Sequence, residues 1–355
     1  MDFEIQAYAW VPLLVFSLLY LGILIFFRAK RDFLGFLLII AFCITLGLRD
    51  IEAMSKSADP ILYAYILSYS SDISALVGGG GVDYAVFKLL HPITAALFDL
   101  RTCFLVLHLL FIPFLCFFYA SIRKIPGIFF LMVGWMIFNN SGLLLLANFF
   151  RQGMSVILFL SILCGLCTSE ERHRFKKIST LALPLFHVAS VALIPGLISC
   201  RMRRYFAISC TALFTIGLAV RFAPSSYAAQ SAYFSDDGAG DWQAQLWIKV
   251  FVIYFMLGIG YFLSRKGEED STSIANLKRA SIGVLIPTAA LLLTSNAPII
   301  GLRYLYYSFA VVSLYIACVI SSKKNELLYE LCAILFCLFG IVTWTYPTVA
   351  VLLKW

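Results

Sequence analysis

The sequence predicts an all-α, polytopic integral membrane protein, and three observations predict it. Of its 355 residues, 62% are hydrophobic and only 13% are charged. A soluble globular chain is nearer half apolar and a quarter charged, so the surplus apolar surface has to meet lipid. Apolar runs close to 20 residues long recur along the chain, the length of helix that crosses a hydrocarbon core about 30 Å thick. The charges that remain fall mostly in short segments between those runs, the pattern of topology signals.

Taken in order, the expected spans are 6–27, 33–48, 101–120, 127–145, 148–168, 178–200, 205–221, 246–263, 280–295, 302–320 and 327–346. The first opens "MDFEIQAYAW", without a basic leader region, and reads as a spanning helix rather than a cleaved signal. Six connecting segments are basic: 28–32, 121–126, 168–177, 201–204, 264–279 and 321–326. Together they carry 18 of the 27 Lys and Arg residues. The positive-inside rule puts all six on the cytoplasmic side. Segment 178–200, "ISTLALPLFHVASVALIPGLISC", then has basic neighbours at both ends. Pro184 and Pro195 break it, and broken backbone at membrane depth is tolerated where it lines a cavity. A re-entrant pair of short helices with His187 near the tip satisfies both constraints. One ordinary crossing with "RMRR" (201–204) outside is the alternative. The hairpin gives about twelve passes. Two long segments, 49–100 and 222–245, then face outward. The first mixes short apolar stretches with Asp, Tyr and Gly and reads as interfacial. The whole of 1–355 reads as one transmembrane helical domain.

Several functions are disfavoured. Net charge is +8, but no basic tract with interleaved aromatics lies outside the apolar runs, so nucleic acid is not an expected partner. The ten cysteines lie in or at the end of apolar runs, and "CGLC" (164–167) has no redox-fold context. The glycines of "GGGG" (78–81) lack the Lys-Ser/Thr that completes a phosphate loop. His91, His108, His173 and His187 show no ligand spacing, so neither a metal site nor a cofactor is expected.

Nine cations lie outside the basic segments, and five are arginines at outer ends of spans: Arg49, Arg101, Arg151, Arg221 and Arg303. One such arginine alone reads as a snorkelling helix end. Several collected on one leaflet match a phosphate, because guanidinium is a planar fork that stays charged. Arg151 stands out, because "LANFFRQGMSVILF" (146–159) buries it in an apolar run beside Gln152 and Asn148. A charge at that depth costs about 3 kcal/mol or more. His187 is the second signal, catalytic or structural. Asp83, beside Tyr84, lies closer to the membrane than the loop carboxylates Asp236, Asp237 and Asp241, and Asp59, four residues before Tyr63, is similar. Tyr63, Tyr65, Tyr69, Tyr304, Tyr306 and Tyr307 read as interfacial belt aromatics, or as stacking surfaces for sugar rings.

Four features in order resemble the EpsG/Wzy-like polymerases of bacterial surface polysaccharides. They are "LGLRD" ending the second span, "NFFRQGMSVILFL", "LPLFHVASVALIP" between basic segments, and "GLRYLYYSF" near the C-terminus. The family's N-x-x-R-Q-G segment appears as Asn148, Arg151, Gln152 and Gly153, and its F-H-x-S/A segment as Phe186, His187, Val188, Ala189 and Ser190. The family's Gly-Thr-Asp-Tyr-like stretch is replaced by "SADPILY" and "VDYAVF". The resemblance implies a GT-C-like fold in the bacterial inner membrane with its site facing the periplasm. The implied reaction moves a growing glycan from undecaprenyl pyrophosphate onto a lipid-linked repeat unit. Arg151, Arg49 and Arg303, with Arg221 as a further candidate, would hold the pyrophosphate. His187 or Asp83 would take the acceptor proton. Gln152, Asn148 and Tyr304 would contact sugar or phosphate. A chain-length regulator is an implied partner. An O-antigen ligase-like transferase would use the same donor. A flippase or other transporter of lipid-linked sugars is the alternative of a different class, and would need internal repeats and a polar path through the membrane.

Overall fold

The computed structural model describes residues 3–51, 59–68, 85–123, 125–168, 183, 239–265, 275–278, 281, 298–323 and 325–345, and no strand occurs among them. Twelve α-helices are described: α1 (Phe3–Phe26), α2 (Arg31–Gly47), α3 (Asp59–Ser68), α4 (Ala85–Leu97), α5 (Leu100–Leu109), α6 (Phe111–Ile122), α7 (Ile128–Phe138), α8 (Asn140–Ala147), α9 (Phe150–Thr168), α10 (Ala239–Arg265), α11 (Pro298–Ser322) and α12 (Glu326–Thr345). Two compact units result. One comprises Met1–Ser161, Leu181–Val188 and Ile320–Trp355, the other Ile162–Thr180 and Ala189–Val319.

Leu100–Ile122 and Leu305–Ser322 are each long and apolar enough to cross a membrane. Two bent pairs pass the same test together: Val11–Phe26 with Arg28–Gly47, bent 112°, and Ile128–Phe138 with Asn140–Ala147, bent 77°. The described residues therefore hold two to four candidate spans by length and composition. Exposed apolar faces on α1 (Val11, Leu14, Leu18) and α12 (Leu327, Leu331, Leu338) are compatible with a lipid surround. The Leu100–Ile122 rod is notched at Leu110 because Pro113 has no N–H to offer the Leu109 carbonyl.

In the first unit α2 packs on α1, α5 and α7, α12 lies against α1 and α7, and α3 packs on α4 and α5. Its basic end is built from three connections. Asp32, in the first turn of α2, accepts from Gly127 N (2.6 Å) and Phe130 N (2.9 Å), capping α7 from across the unit. Tyr329 donates to Gly127 O at 2.7 Å. Arg31 pairs with Glu326 at 3.1 Å and stacks 4.0 Å above the Tyr329 ring, while Arg28 pairs with Glu330. Gly127 takes φ +86°, and a Cβ there would meet the Tyr329 ring at 2.8 Å. Segments 28–32, 121–126 and 321–326, all expected on one side, meet at this one end.

Three local expectations are corrected. The span 127–145 is two helices, because Asn139 is extended and its Oδ1 accepts from Ser141 N, starting α8 afresh. Gly142 then lets α8 fold back, since a Cβ would lie 2.4 Å from Trp135 O. The outer segment 222–245 is shortened, because α10 begins at Ala239. Tyr63, Tyr306 and Tyr307 are buried rather than interfacial. The segment 49–100 carries two helices, α3 and α4. The expected hairpin at 178–200 lies outside the described residues apart from Leu183, the span 205–221 lies wholly outside them, and 280–295 does so apart from Ser281.

In the second unit α10 and α11 meet closely. Tyr315 donates to Gly260 O at 3.2 Å. A Cβ on Gly260 would stand 2.7 Å from the Tyr315 ring, so the glycine permits the approach.

Candidate functional site at the α8–α9 junction

The end of α2 starts the site. Gly47 lies against α5, where a Cβ would meet the Leu105 side chain at 2.7 Å and its Cα at 3.1 Å. That closeness carries Arg49, two residues on, into the interior, where it is 1% exposed. Its Nε donates to Leu46 O at 2.7 Å, and its Nη2 donates to Ala147 O at 3.1 Å and lies 3.1 Å from His108 Nε2. Leu46 and Ala147 sit in the last turns of α2 and α8. A helix end leaves such carbonyls without intrahelical partners and gathers the negative end of the dipole. One guanidinium thus caps two helix C-termini. Burial pushes its pKa down to about 9, which still leaves it protonated at neutral pH.

His108 is neutral by the chemistry of its neighbours. Its Nδ1 is 2.8 Å from Phe104 O, which can only accept, so Nδ1 carries the proton. Guanidinium can only donate, so Nε2 presents its lone pair to Arg49.

Two residues, Asn148 and Phe149, separate α8 from α9. Asn148 N and Phe149 N both bond Leu144 O at 2.9 Å, closing α8. Phe150 sets its ring edge-on against His108 at 4.6 Å and tilted against Phe111 at 5.3 Å. Gly153 seals the joint, since a Cβ there would lie 2.2 Å from Leu145 O. The glycine of "RQG" is therefore required by packing. It lets the first turn of α9 rest on the backbone of α8.

Arg151 occupies that first turn and is half-buried. Its Nε donates to the Tyr63 hydroxyl at 2.7 Å, and its guanidinium carbon is 5.4 Å from the Tyr63 ring. Tyr63, 3% exposed, is held in turn by a stack on Phe87 at 4.9 Å and 13°. The bond engages the nitrogen nearest the stem and fixes the plane of the guanidinium. A cation in the first turn of a helix stands at the positive end of its dipole. Such a placement is unfavourable for the isolated helix, but the two positive contributions sum into an anion-attracting spot. Gln152 beside it is buried. Asn148 Oδ1 and, one turn into α9, Ser155 Oγ are buried polar atoms without a hydrogen-bond partner. Each costs about 1–3 kcal/mol, a cost of the kind that polar sites carry.

The structure thus brings Arg49, Asn148, Arg151 and Gln152 to one junction. Arg49, expected at the diphosphate, bonds the Leu46 and Ala147 carbonyls and lies against His108. Arg303 and Tyr304 lie in α11, in the second unit. His187, Asp83 and Arg221 lie outside the described residues. Among the described residues no group of three or more His, Cys, Asp or Glu gathers. The sequence reading assigned His108 no place in the site, and it offered Tyr63 as a belt aromatic or a sugar-stacking surface rather than as a partner of Arg151. Their links to Arg49 and Arg151 span 59 and 88 positions, and no local pattern encodes them.

No family model, no curated protein and no solved structure matches this chain.

Proposed function

We propose that this chain is a polymerase of a bacterial surface polysaccharide, crossing the inner membrane about eleven to twelve times in a GT-C-like arrangement. In this reading it works at the periplasmic face on undecaprenyl-pyrophosphate-linked glycans, with a chain-length regulator as partner. The acceptor's terminal hydroxyl attacks the anomeric carbon of the donor glycan. The new glycosidic C–O bond forms as the bond to pyrophosphate breaks, and lipid pyrophosphate leaves with the bonding electrons. The acceptor proton passes to His187 or Asp83. Negative charge grows on the leaving group, so a guanidinium fixed beside it lowers the barrier. The supporting observation is Arg151, half-buried in the first turn of α9 and held by the Tyr63 hydroxyl. Asn148 and Gln152 flank it as sugar or phosphate contacts. Arg303, Arg221 and Tyr304 are the further substrate contacts that the resemblance implies.

The test is polymerisation by purified full-length protein supplied with lipid-linked repeat units. The wild type should lengthen them. Arg151→Ala should lose about 100-fold or more of that activity, the scale of one lost oxyanion donor, while still accumulating in the membrane. Normal chain growth by that variant, or none by the wild type, would refute the proposal.

A further inference from the structure

We propose that Arg49 is a positioning residue for Arg151, and that His108 orients it. The inference rests on the reading above, in which Arg151 meets the leaving diphosphate. Arg49 sits in the unit's interior and spends Nε on the end of α2 and Nη2 on the end of α8 and on His108. Ala147, whose carbonyl it holds, is four residues before Arg151. Between them the chain makes only the Asn148–Phe149 break. The same His108 that accepts from Arg49 packs its ring against Phe150, the neighbour of Arg151. Both links therefore converge on the first turn of α9, one through the backbone of α8 and one through an aromatic edge. A planar fork is required for this geometry, because three acceptors lie in different directions around one guanidinium. Lysine would preserve the charge and lose that fork. This gives "LGLRD" a function distinct from the anion contact its arginine suggests. Gly47 admits the chain, and Arg49 locks α2 to the α8–α9 junction.

The clasp makes a prediction that a phosphate ligand does not. Arg49→Lys should lower kcat about 10- to 100-fold, the scale of a displaced catalytic group, with KM for the lipid-linked repeat unit nearly unchanged. His108→Ala should do the same, and the double variant should be no worse than the poorer single one. His108→Gln, which restores an acceptor, should recover most of the rate, and it carries the test if Arg49→Lys fails to fold. Independent, multiplying losses would overturn the proposal. So would a raised KM with kcat unchanged, or a folded His108→Gln as slow as His108→Ala. Thermal melting of the same purified proteins reads the clasp apart from the reaction, because the two single changes should be non-additive there too. If Arg151→Ala polymerises normally while that non-additivity persists, the functional reading fails and the clasp stands. If melting shifts simply add, the clasp fails whatever Arg151 does.

Discussion

Tyr63 sets the plane of the arginine on which the functional reading turns. Its hydroxyl is the Nε partner of Arg151, and its ring is held separately by Phe87. Tyr63→Phe therefore removes one hydrogen bond to a charged group and keeps the stack. Such bonds are worth about 1.5–3 kcal/mol. Polymerisation kinetics should show kcat falling by roughly 10- to 100-fold, and the lost bond should also lower the melting temperature. An unchanged kcat would remove Tyr63 from the positioning role. At this scale the sequence was partly legible. Arg151, Gln152 and Asn148 stood out because polar groups in an apolar run require a reason. Arg49 was visible as a residue but not as a role, since nothing in "LGLRD" reveals that its acceptors lie at 46, 108 and 147. Tyr63 read as a belt aromatic because an outward segment and a tyrosine suggest an interface, and only tertiary packing buries it.

Elements meet here through glycines. Gly153→Ala would force a methyl into Leu145 O and should destabilise by about 1–3 kcal/mol, the range for overpacking, with a matching loss of activity as α9 is pushed off α8. Gly22→Ala in α1 is the control, because nothing lies within 4 Å of its Cβ position. Removing a helical glycine there should stabilise by about 0.5–1 kcal/mol. Thermal melting of the two purified variants checks both signs. A helix start offers a pH test. Asp99 caps α5 by accepting from Thr102 N at 2.8 Å, and hydrogen bonds from Thr102 hold its carboxyl below the usual carboxylate range. A depressed carboxylate contributes stability above its unfolded pKa and loses it as pH falls through the folded value. Asp99→Asn should therefore melt lower than wild type at neutral pH, and the gap should close in acid. Helix positions were largely legible, since hydropathy located α2, α9 and α12 within a few residues. The break at Asn139 was not, because hydropathy averages over a cap that depends on one side chain turning back to Ser141 N.

On the scale of the whole molecule, the first unit has two ends knit by charged side chains. Asp32, Gly127 and Tyr329 knit the basic end, while Arg49 and Arg151 lie at the far end of α2, roughly 25 Å along its axis. Charge distribution alone made the basic end legible, because positive loops sort by side. The α8–α9 junction did not become legible in the same way. Arg49, His108 and Arg151 lie on separate segments, and only packing brings them together. In a cysteine-free background, single cysteines at Lys30, Arg123 and Lys323 should react with an impermeant maleimide from one side of the membrane only. A cysteine at Asp99, across Leu100–Ile122, should react from the other. Any two of the first three on opposite sides would contradict this arrangement. The central claim, that the Arg151 guanidinium stabilises the departing lipid diphosphate, is tested most directly by single-turnover glycan transfer with donor pre-bound, which separates chemistry from binding. Arg151→Ala should slow that step by about 100-fold or more with donor affinity changed far less. A single-turnover rate equal to wild type would contradict it.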